Sequence, residues 1–200
     1  MMTYPLLRAQ RVICAALLLA TLYCLGAASW IHVKAELAQW LIQHAWQQAL
    51  KGSQSLHIKP WPWADTEPVA QLTLANGEQW VVLRGAQGNS LAFGPGLVEG
   101  SALPGEGFSV VGGHRDTHFA SLANTMAGDR IFVHTRNGTA IEYEVQFAGV
   151  VDIRQQPLQL ENTHRLLLVT CFPFDGVQSD AHKRWLVRAA PIKSDSEFET

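Results

Sequence analysis

A run of twenty uncharged residues, from Val12 to Ile31, limits what this chain can fold into more than any other feature of the sequence. About 20 such residues are what an α-helix needs to cross the hydrocarbon core of a bilayer. The run therefore predicts either a membrane anchor or an export signal. Arg8 and Arg11 precede it with no acidic residue nearby. Positive charge on that side keeps the N-terminus in the cytoplasm and sends the rest of the chain across the membrane.

The residues after the apolar run favour a retained anchor over a removable signal. The small residues 26–29 could form a cleavage site for a signal peptidase. The chain continues, however, with helical spacing of apolar residues from Lys34 to Leu50, and Gly52 then ends the pattern. Its tryptophans would lie either at the bilayer surface or against the folded domain. The stripe expected along one face of this helix consists of Leu37, Trp40, Leu41, His44 and Ala45.

Length and composition describe one globular domain beyond the helix. The chain has 200 residues, of which 48% are hydrophobic and 16% charged, and its net charge is -2. That length has room for a short anchor and one ordinary core. Basic residues are scattered, which argues against a nucleic-acid-binding face. We predict four segments: a cytoplasmic stub and anchor (1–33), an amphipathic helix and linker rich in proline and tryptophan (34–68), the domain (69–192) and a polar tail (193–200).

The segment from residue 69 to residue 192 is patterned for β-structure. Asn-Gly pairs at 76–77 and 137–138 each separate two apolar stretches, and such pairs favour hairpin turns in which both central residues have positive φ. Seven or eight short strands predict a closed antiparallel barrel or a sandwich. In the linker before them, Trp61 and Trp63 are expected to pack on the domain. The predicted strands cover residues 69–74, 78–84, 108–111, 130–135, 140–147, 149–153, 165–170 and 185–189.

Cys171 is the only cysteine outside the apolar run. It follows the strand 165–170 and precedes Phe172-Pro-Phe, which would end the strand and expose the sulfur. Cys14 and Cys24 are ten positions apart, a rise of about 15 Å on a helix, so they cannot form a disulfide and are expected to face lipid or pack. An unpaired thiol is unusual in an exported domain, which favours a reactive Cys171 over a buried filler.

His114 follows the strand 108–111 in the stretch Gly112-Gly-His-Arg-Asp-Thr-His118. The glycines leave its imidazole uncovered at the strand exit. His114 and His118 also have the i, i+4 spacing of a helical metal pair, with Asp116 as a possible third ligand. The preceding glycines and the missing glutamate of the usual zinc motif argue against that site.

Arg184 opens the strand 185–189. A guanidinium there could donate to the oxygen that becomes negative when a thiolate attacks a carbonyl. Arg188 shares its side of the strand and is expected to stay on the surface. A thiol, an imidazole and a guanidinium at strand ends together suggest an acyl-transfer site.

These stretches, in order and spacing, resemble the sortase family of cysteine transpeptidases, and the resemblance runs from Leu72 to Ala190. One difference is Leu167, because many members carry threonine four residues before the cysteine. The anchor, the tryptophan-bearing helix and residues 59–63 and 93–101 look like the sortases of Gram-negative, marine proteobacteria (class GN). The stretches that carry the resemblance are Gly113-His114-Arg-Asp, Leu168-Val-Thr170-Cys171, Arg184-Trp-Leu-Val-Arg-Ala, Lys59-Pro-Trp-Pro-Trp63 and Phe93-Gly-Pro-Gly-Leu-Val-Glu-Gly-Ser.

The resemblance implies a mainly β fold: a closed eight-stranded barrel with short helices, preceded by a transmembrane or amphipathic helix. It implies that Cys171 attacks a carbonyl in the C-terminal sorting signal of an exported protein, a short signal containing Leu-Pro. His114 would protonate the departing amine, and Arg184 would steady the substrate and the oxyanion. The thioester would pass to an amine acceptor in the cell envelope, with hydrolysis as a side activity.

The implied location is the inner membrane, with a single span and the catalytic domain on the periplasmic side. The chemistry calls for no cofactor and no metal. Two other functions fit the same residues. One is a membrane-anchored cysteine peptidase that only hydrolyses, and the other is a non-catalytic extracytoplasmic barrel that binds peptide or glycan around a buried cysteine.

Overall fold

The computed structural model of the chain describes residues 4–52, 57–155, 163–176 and 180–192. The chain divides into two compact units, Met1–Trp40 and Leu41–Thr200. Within the described residues the helices are α1 (Tyr4–Lys51), α2 (Ser90–Phe93) and a 3-10 helix (Ala120–Asn124). The strands are β1 (Pro68–Thr73), β2 (Gln79–Arg84), β3 (Gly96–Leu97), β4 (Ser109–Gly112), β5 (Arg130–Thr135), β6 (Ala140–Asp152), β7 (Leu166–Cys171) and β8 (Lys183–Pro191).

The first unit is formed by α1 alone. Its most apolar eighteen-residue stretch has a mean hydropathy of 2.1, and none of that stretch is buried. The helix is long and apolar enough to cross a membrane, which confirms the prediction of a long apolar helix at the N-terminus. Cys14 and Cys24 are both exposed and unbridged within it.

The last turns of α1 belong to the second unit and pack on the barrel. Ile42, Trp46 and Ala49 form a buried cluster with Val81 and Leu83 of β2. The helix ends where it was expected, since Gly52 N donates to Gln48 O at 3.0 Å. The end of α1 is therefore part of the core of the second unit.

The structure buries only part of the stripe predicted along one face of this helix: Ala45 is buried and Leu41 is half-buried. Leu37 and Trp40 are 54% and 61% exposed and His44 is also exposed, whereas Trp46 is fully buried. Helical spacing predicts the period of an apolar stripe but not which side meets a partner. Ile42 and Trp46, four residues apart, supply the large side chains that cover β2, and the buried side of the helix is therefore the side that carries these two residues.

Trp46→Ala is expected to lower the free energy of unfolding by about 3–5 kcal/mol, because it removes a buried ring and leaves a cavity over β2. Denaturant titration of the full chain in detergent micelles measures this change. Trp63→Ala is the matched control: Trp63 is 83% exposed, and its loss should change stability by less than about 0.5 kcal/mol. Equal effects of the two substitutions would contradict the packing described for Trp46.

The two linker tryptophans, Trp61 and Trp63, differ in packing and exposure. Trp61 packs edge-on against Phe93 with ring centroids 5.1 Å apart, which confirms it as a packing residue. Trp63 does not pack, so that expectation was wrong. Residues 57–67 contain neither helix nor strand, and the predicted linker residues 53–56 lie outside the described chain.

Both Asn-Gly hairpins form, but with a different turn. Gly77 N donates to Leu74 O at 2.9 Å, and Gly77 has φ of 88°. No described residue other than glycine has positive φ, so Asn76 does not adopt the predicted conformation. Its side chain instead accepts a hydrogen bond from Glu78 N at 3.1 Å. The loop is therefore of the three-residue kind that closes on a left-handed glycine, and Gly138, with φ of 83°, repeats it between β5 and β6.

The strands close into a barrel in the order β1-β2-β3-β4-β7-β8-β6-β5. This confirms the mainly β, eight-stranded fold. The expectation of purely antiparallel pairing was wrong, because β2 pairs β3 and β4 pairs β7 in parallel. The short β3 was not predicted, and the predicted strand 149–153 is largely the end of the thirteen-residue β6. The β4–β7 pair matters most, because parallel strands end at the same rim.

β4, β7 and β8 are apolar on both faces. One set of their side chains fills the barrel interior, and the alternate set forms a second buried cluster on the outer face. This explains why residues 166–169 read as an unbroken apolar run rather than an alternating one. The interior set comprises Val111, Leu166, Leu168, Val187 and Ala189, and the outer set comprises Phe108, Val110, Leu167 and Leu186.

Candidate active site

His114 and Cys171 lie at the same rim because β4 and β7 are parallel neighbours. Gly112 of β4 is the register partner of Val169 of β7. His114 and Cys171 each come two residues later, so the two strands deliver them to the same level. A hydrogen bond from Gly113 N to Val169 O, at 3.1 Å, extends the ladder to the residue before His114. The pairing thus joins two residues 57 positions apart in the sequence.

The chain around His114 is held from two sides. The buried Thr170 donates through Oγ1 to Gly113 O at 2.7 Å, which ties β7 to the exit of β4. A Cβ on Gly113 would lie 2.6 Å from the Phe119 ring, so only glycine fits there without a shift. Phe119 N donates to His114 O at 2.9 Å, which closes the turn behind the imidazole. The position of His114 is therefore set by packing and not by the strand alone.

Arg184 is the direct cross-strand partner of Cys171 in the antiparallel pair of β7 and β8. Side chains paired in this way have Cβ atoms about 4.5–5.5 Å apart. Arg184 Nη1 donates to Asp180 O at 3.2 Å and to Lys183 O at 2.8 Å. These bonds hold the guanidinium at the start of β8, beside the nucleophile candidate.

Cys171 and Arg184 continue the outer face of the barrel, and His114 follows the end of β4 at the same rim. The outer apolar cluster and the partly buried side chains packed on it include Val110 of β4, Leu167 and Val169 of β7, and Leu186 of β8. Because side chains alternate along a strand, Cys171 and Arg184 continue these rows, and His114 follows the row of β4. His114 is exposed, and Cys171 and Arg184 are partly exposed. The structure therefore brings the backbone positions of the three residues to one rim, and each of the three residues is at least partly exposed there.

His118 does not share that exposure. It lies in a turn rather than a helix and is 6% exposed, with its ring edge-on to Trp80 and centroids 4.8 Å apart. Burial lowers the pKa of His118, the nearby His114 lowers it further, and Asp116 raises it. The helical i, i+4 geometry proposed for a metal pair is thus not formed. Within the described ranges, no group of three or more His, Cys, Asp or Glu side chains is placed to hold a metal.

Two further residues of the strands near the site have packing roles. Arg188 is exposed, with its guanidinium 5.9 Å from the centroid of the Phe147 ring. Leu167, which stands where many sortases carry threonine, is buried with Val110 and Leu186 on the outer face. An apolar contact therefore occupies the position at which the family pattern would place a hydroxyl.

The sequence reasoning missed Arg115. This residue donates through Nη1 to Pro173 O and through Nη2 to Gly176 O, the latter at 2.6 Å. Its only sequence signal was its place beside His114. The partners are backbone carbonyls 58 and 61 positions away, and no side-chain pattern points to such acceptors.

A sortase-domain family model matches residues 75–192. Sortase A from Corynebacterium diphtheriae is 22% identical, with 80% of this chain and 86% of that chain covered at a TM-score of 0.58. The sortase D5 transpeptidase of Clostridium perfringens is 19% identical, with 79% and 99% covered and a TM-score of 0.63. Sortase C1 from Streptococcus suis is 24% identical, with 66% and 77% covered and a TM-score of 0.56. No curated protein sequence matches the chain.

At these identities the solved structures establish the shared fold. The family model goes further, because the residues that it matches contain β2 to β8 and make up more than half of the chain. Those residues include the rim where β4 and β7 end and β8 begins. The chain belongs to the sortase family.

Proposed function

We propose that this protein is a membrane-anchored cysteine transpeptidase in which Cys171, His114 and Arg184 perform acyl transfer. The observation that supports the proposal is the strand register, which places the backbone positions of these three residues at one rim of the barrel. Membership of the sortase family supports transpeptidase chemistry. The partial exposure of Cys171 argues against a cysteine that serves only as core filler.

In the first half of the reaction, the Cys171 thiolate attacks a backbone carbonyl carbon in the sorting signal of an exported protein. A C–S bond forms and the carbonyl oxygen becomes negative, where the Arg184 guanidinium can donate to it. The C–N bond then breaks, and His114 gives its proton to the departing amine. The products of this half are a thioester on Cys171 and a free C-terminal fragment.

In the second half, an amine from the cell envelope attacks the thioester carbonyl. His114 takes the proton of that amine, the C–S bond breaks, and the sulfur leaves as thiolate. The substrate protein is then joined to the acceptor through a new amide. Water in place of the amine gives hydrolysis, the side activity of the same site.

The first unit supports anchoring in the inner membrane with the barrel on the periplasmic side. The α1 helix is long enough to span, and Arg8 and Arg11 precede its apolar stretch. We assign residues 1–33 to the stub and anchor, 34–68 to the helix end and linker, and 69–192 to the catalytic barrel. The polar tail 193–200 lies outside the described residues. The anchor and linker pattern further supports a place in the Gram-negative group of sortases.

The test uses the full chain in detergent micelles and a library of quenched peptides that each contain Leu-Pro. Hydroxylamine, which cleaves any thioester, reports formation of the acyl-enzyme, and glycinamide serves as an ordinary amine acceptor; mass spectrometry separates hydroxamate, glycinamide adduct and free acid. Formation of the glycinamide adduct as the main product, in the absence of hydroxylamine, supports transfer. Free acid without glycinamide adduct, from an enzyme that does give hydroxamate, would establish the hydrolase instead, and no cleavage of any peptide together with an inert thiol would favour the binding barrel.

Arg184→Gln is expected to slow transfer about 10²-fold or more, because losing one donor to the developing oxyanion costs about 3 kcal/mol of transition-state stabilisation. Steady-state kcat/KM with the best library peptide measures the effect. Arg188→Gln is the matched control, since Arg188 lies on the same face of β8 and its cation rests over Phe147. A loss for Arg188→Gln as large as for Arg184→Gln would contradict the role assigned to Arg184.

A further inference from the structure

We propose that Arg115 is a positioning residue that fixes the segment after the nucleophile, residues 172–176, which we call the nucleophile loop. The inference rests on the proposed function, because it concerns how Cys171 is held for attack. Arg115 is not assigned to contact the substrate. Its effect passes through the backbone on either side of the site.

The first support is the geometry of the guanidinium. Nη1 of Arg115 donates to Pro173 O and Nη2 donates to Gly176 O. The N–H directions of a guanidinium are fixed in one plane, so a single side chain that binds two carbonyls also fixes the distance between them. Here the two carbonyls lie three residues apart, and the bonds therefore close the nucleophile loop on itself.

A second support comes from aromatic contacts of the same loop. Phe172 stacks on Trp185 with ring centroids 6.4 Å apart and an interplanar angle of 17°. Phe174 meets Trp185 edge-on with centroids 5.7 Å apart. Trp185 is itself fixed in β8 as the partner of Thr170. The nucleophile loop is thus held through two side chains by the barrel and through two carbonyls by Arg115.

Arg115 connects the segment of the proposed general acid to the segment of the proposed nucleophile. It follows His114 directly, and Pro173 is two residues from Cys171. One side chain therefore ties the segment carrying the imidazole to the segment following the sulfur. A misplacement of about 1 Å between reacting groups can cost about 10²-fold in rate.

The partners of Arg115 explain why arginine is needed there. Within the described ranges Arg115 forms no ion pair with a carboxylate, and its guanidinium donates to two neutral carbonyls. Lysine would keep the positive charge but offers a point charge without a planar fork. Substitution by lysine therefore tests whether the two fixed hydrogen bonds to the nucleophile loop, which we call the tether, are required in addition to the positive charge. No carboxylate in those ranges loses an ion-pair partner.

The experiment compares Arg115→Gln and Arg115→Lys with Arg130→Gln, all in the full chain with Cys14 and Cys24 replaced by serine. Arg130 is the control because it lies on β5 and makes surface ion pairs with Glu142 and Glu144. Three quantities are measured: amide hydrogen exchange in residues 172–176, the rate of Cys171 alkylation by iodoacetamide, and kcat and KM for peptide transfer to hydroxylamine.

We expect Arg115→Gln to speed exchange in the nucleophile loop about tenfold and to lower kcat about tenfold or more, with a smaller change in KM. Arg115→Lys should restore less than about a third of the lost rate, and Arg130→Gln should match the parent in every quantity. Alkylation of Cys171 should slow in both Arg115 variants. Circular dichroism confirms that the compared samples are folded.

Unchanged exchange in residues 172–176 would overturn the tether, and full rescue by lysine would overturn the need for a planar fork. A fall in kcat that is fully accounted for by a smaller folded fraction of the variant would overturn the positioning role of Arg115. If the parent transfers no peptide while exchange and alkylation still change in Arg115→Gln, the proposed function is wrong but the tether is upheld. The two failures are therefore distinguishable.

Discussion

Cys171→Ala is expected to abolish peptide transfer to hydroxylamine, with a loss of kcat on the order of 10⁴-fold or more. The substitution removes the atom that forms the covalent intermediate, and the alanine methyl group cannot act as a nucleophile in that step. The barrel should remain folded, because Cys171 is only partly buried and its change to alanine removes a single sulfur. Product formation followed by mass spectrometry over hours measures so large a loss.

The matched control for Cys171→Ala is the double variant Cys14→Ala, Cys24→Ala. These two cysteines are exposed on α1, outside the barrel, and their removal should leave kcat within about twofold. Cys171→Ser tests the chemistry further, since it keeps the shape of the side chain but supplies a poorer nucleophile. Transfer by Cys171→Ala at the parent rate would remove the basis of the proposed mechanism.

His114→Gln is expected to lower kcat for peptide substrates by about 10²–10⁴-fold, the usual contribution of a positioned general acid or base. The loss should depend on the leaving group. An amide needs a proton to depart, whereas an ester of a good leaving alcohol does not. Acylation by a matched ester substrate should therefore lose much less activity than acylation by the peptide, and the ratio of the two rates measures the acid role of His114.

His134→Gln is the control for the histidine experiment, because His134 lies exposed on β5, away from the rim where β4 and β7 end. It should behave as the parent with both substrates. An equal loss for ester and peptide in His114→Gln would show that the imidazole does not act as the acid for the leaving amine. Residual amide cleavage at the parent rate would exclude His114 from the reaction altogether.

The barrel was predictable from the sequence because local signals were strong. Asn76-Gly77 and Asn137-Gly138 marked the two hairpins, and apolar stretches between turn residues marked the strands. The turn type was not predictable from the dipeptide alone. The Asn76 side chain accepts a hydrogen bond from Glu78 N, which stabilises a longer loop with one left-handed residue.

The candidate site was predictable only as a set of strand ends. The sequence pattern placed His114 and Cys171 after apolar runs and Arg184 before one. The resemblance to sortases then implied that the three residues act together in one site. What places His114 beside Cys171 is the parallel pairing of β4 with β7, two strands separated by β5 and β6 in the sequence. Pairing over that distance depends on tertiary packing, and no local pattern encodes it.

The same reason explains why the buried residues of α1 and the contacts of Arg115 were not predicted. Helical periodicity could not tell that Ile42 and Trp46, rather than Leu41 and Trp40, would face β2. Arg115 binds carbonyl oxygens, which every residue carries, so its partners leave no trace in the sequence. Contacts to backbone and the choice of a buried face both depend on the assembled barrel.

Trapping the covalent intermediate tests the central claim most directly. The full chain is mixed with the best library peptide without added amine, quenched in acid and digested for mass spectrometry. The account predicts that the N-terminal part of the peptide is attached to Cys171 alone and is released by hydroxylamine, as a thioester must be. An adduct on another residue, an adduct that resists hydroxylamine, or cleavage that proceeds with Cys171 alkylated would contradict it.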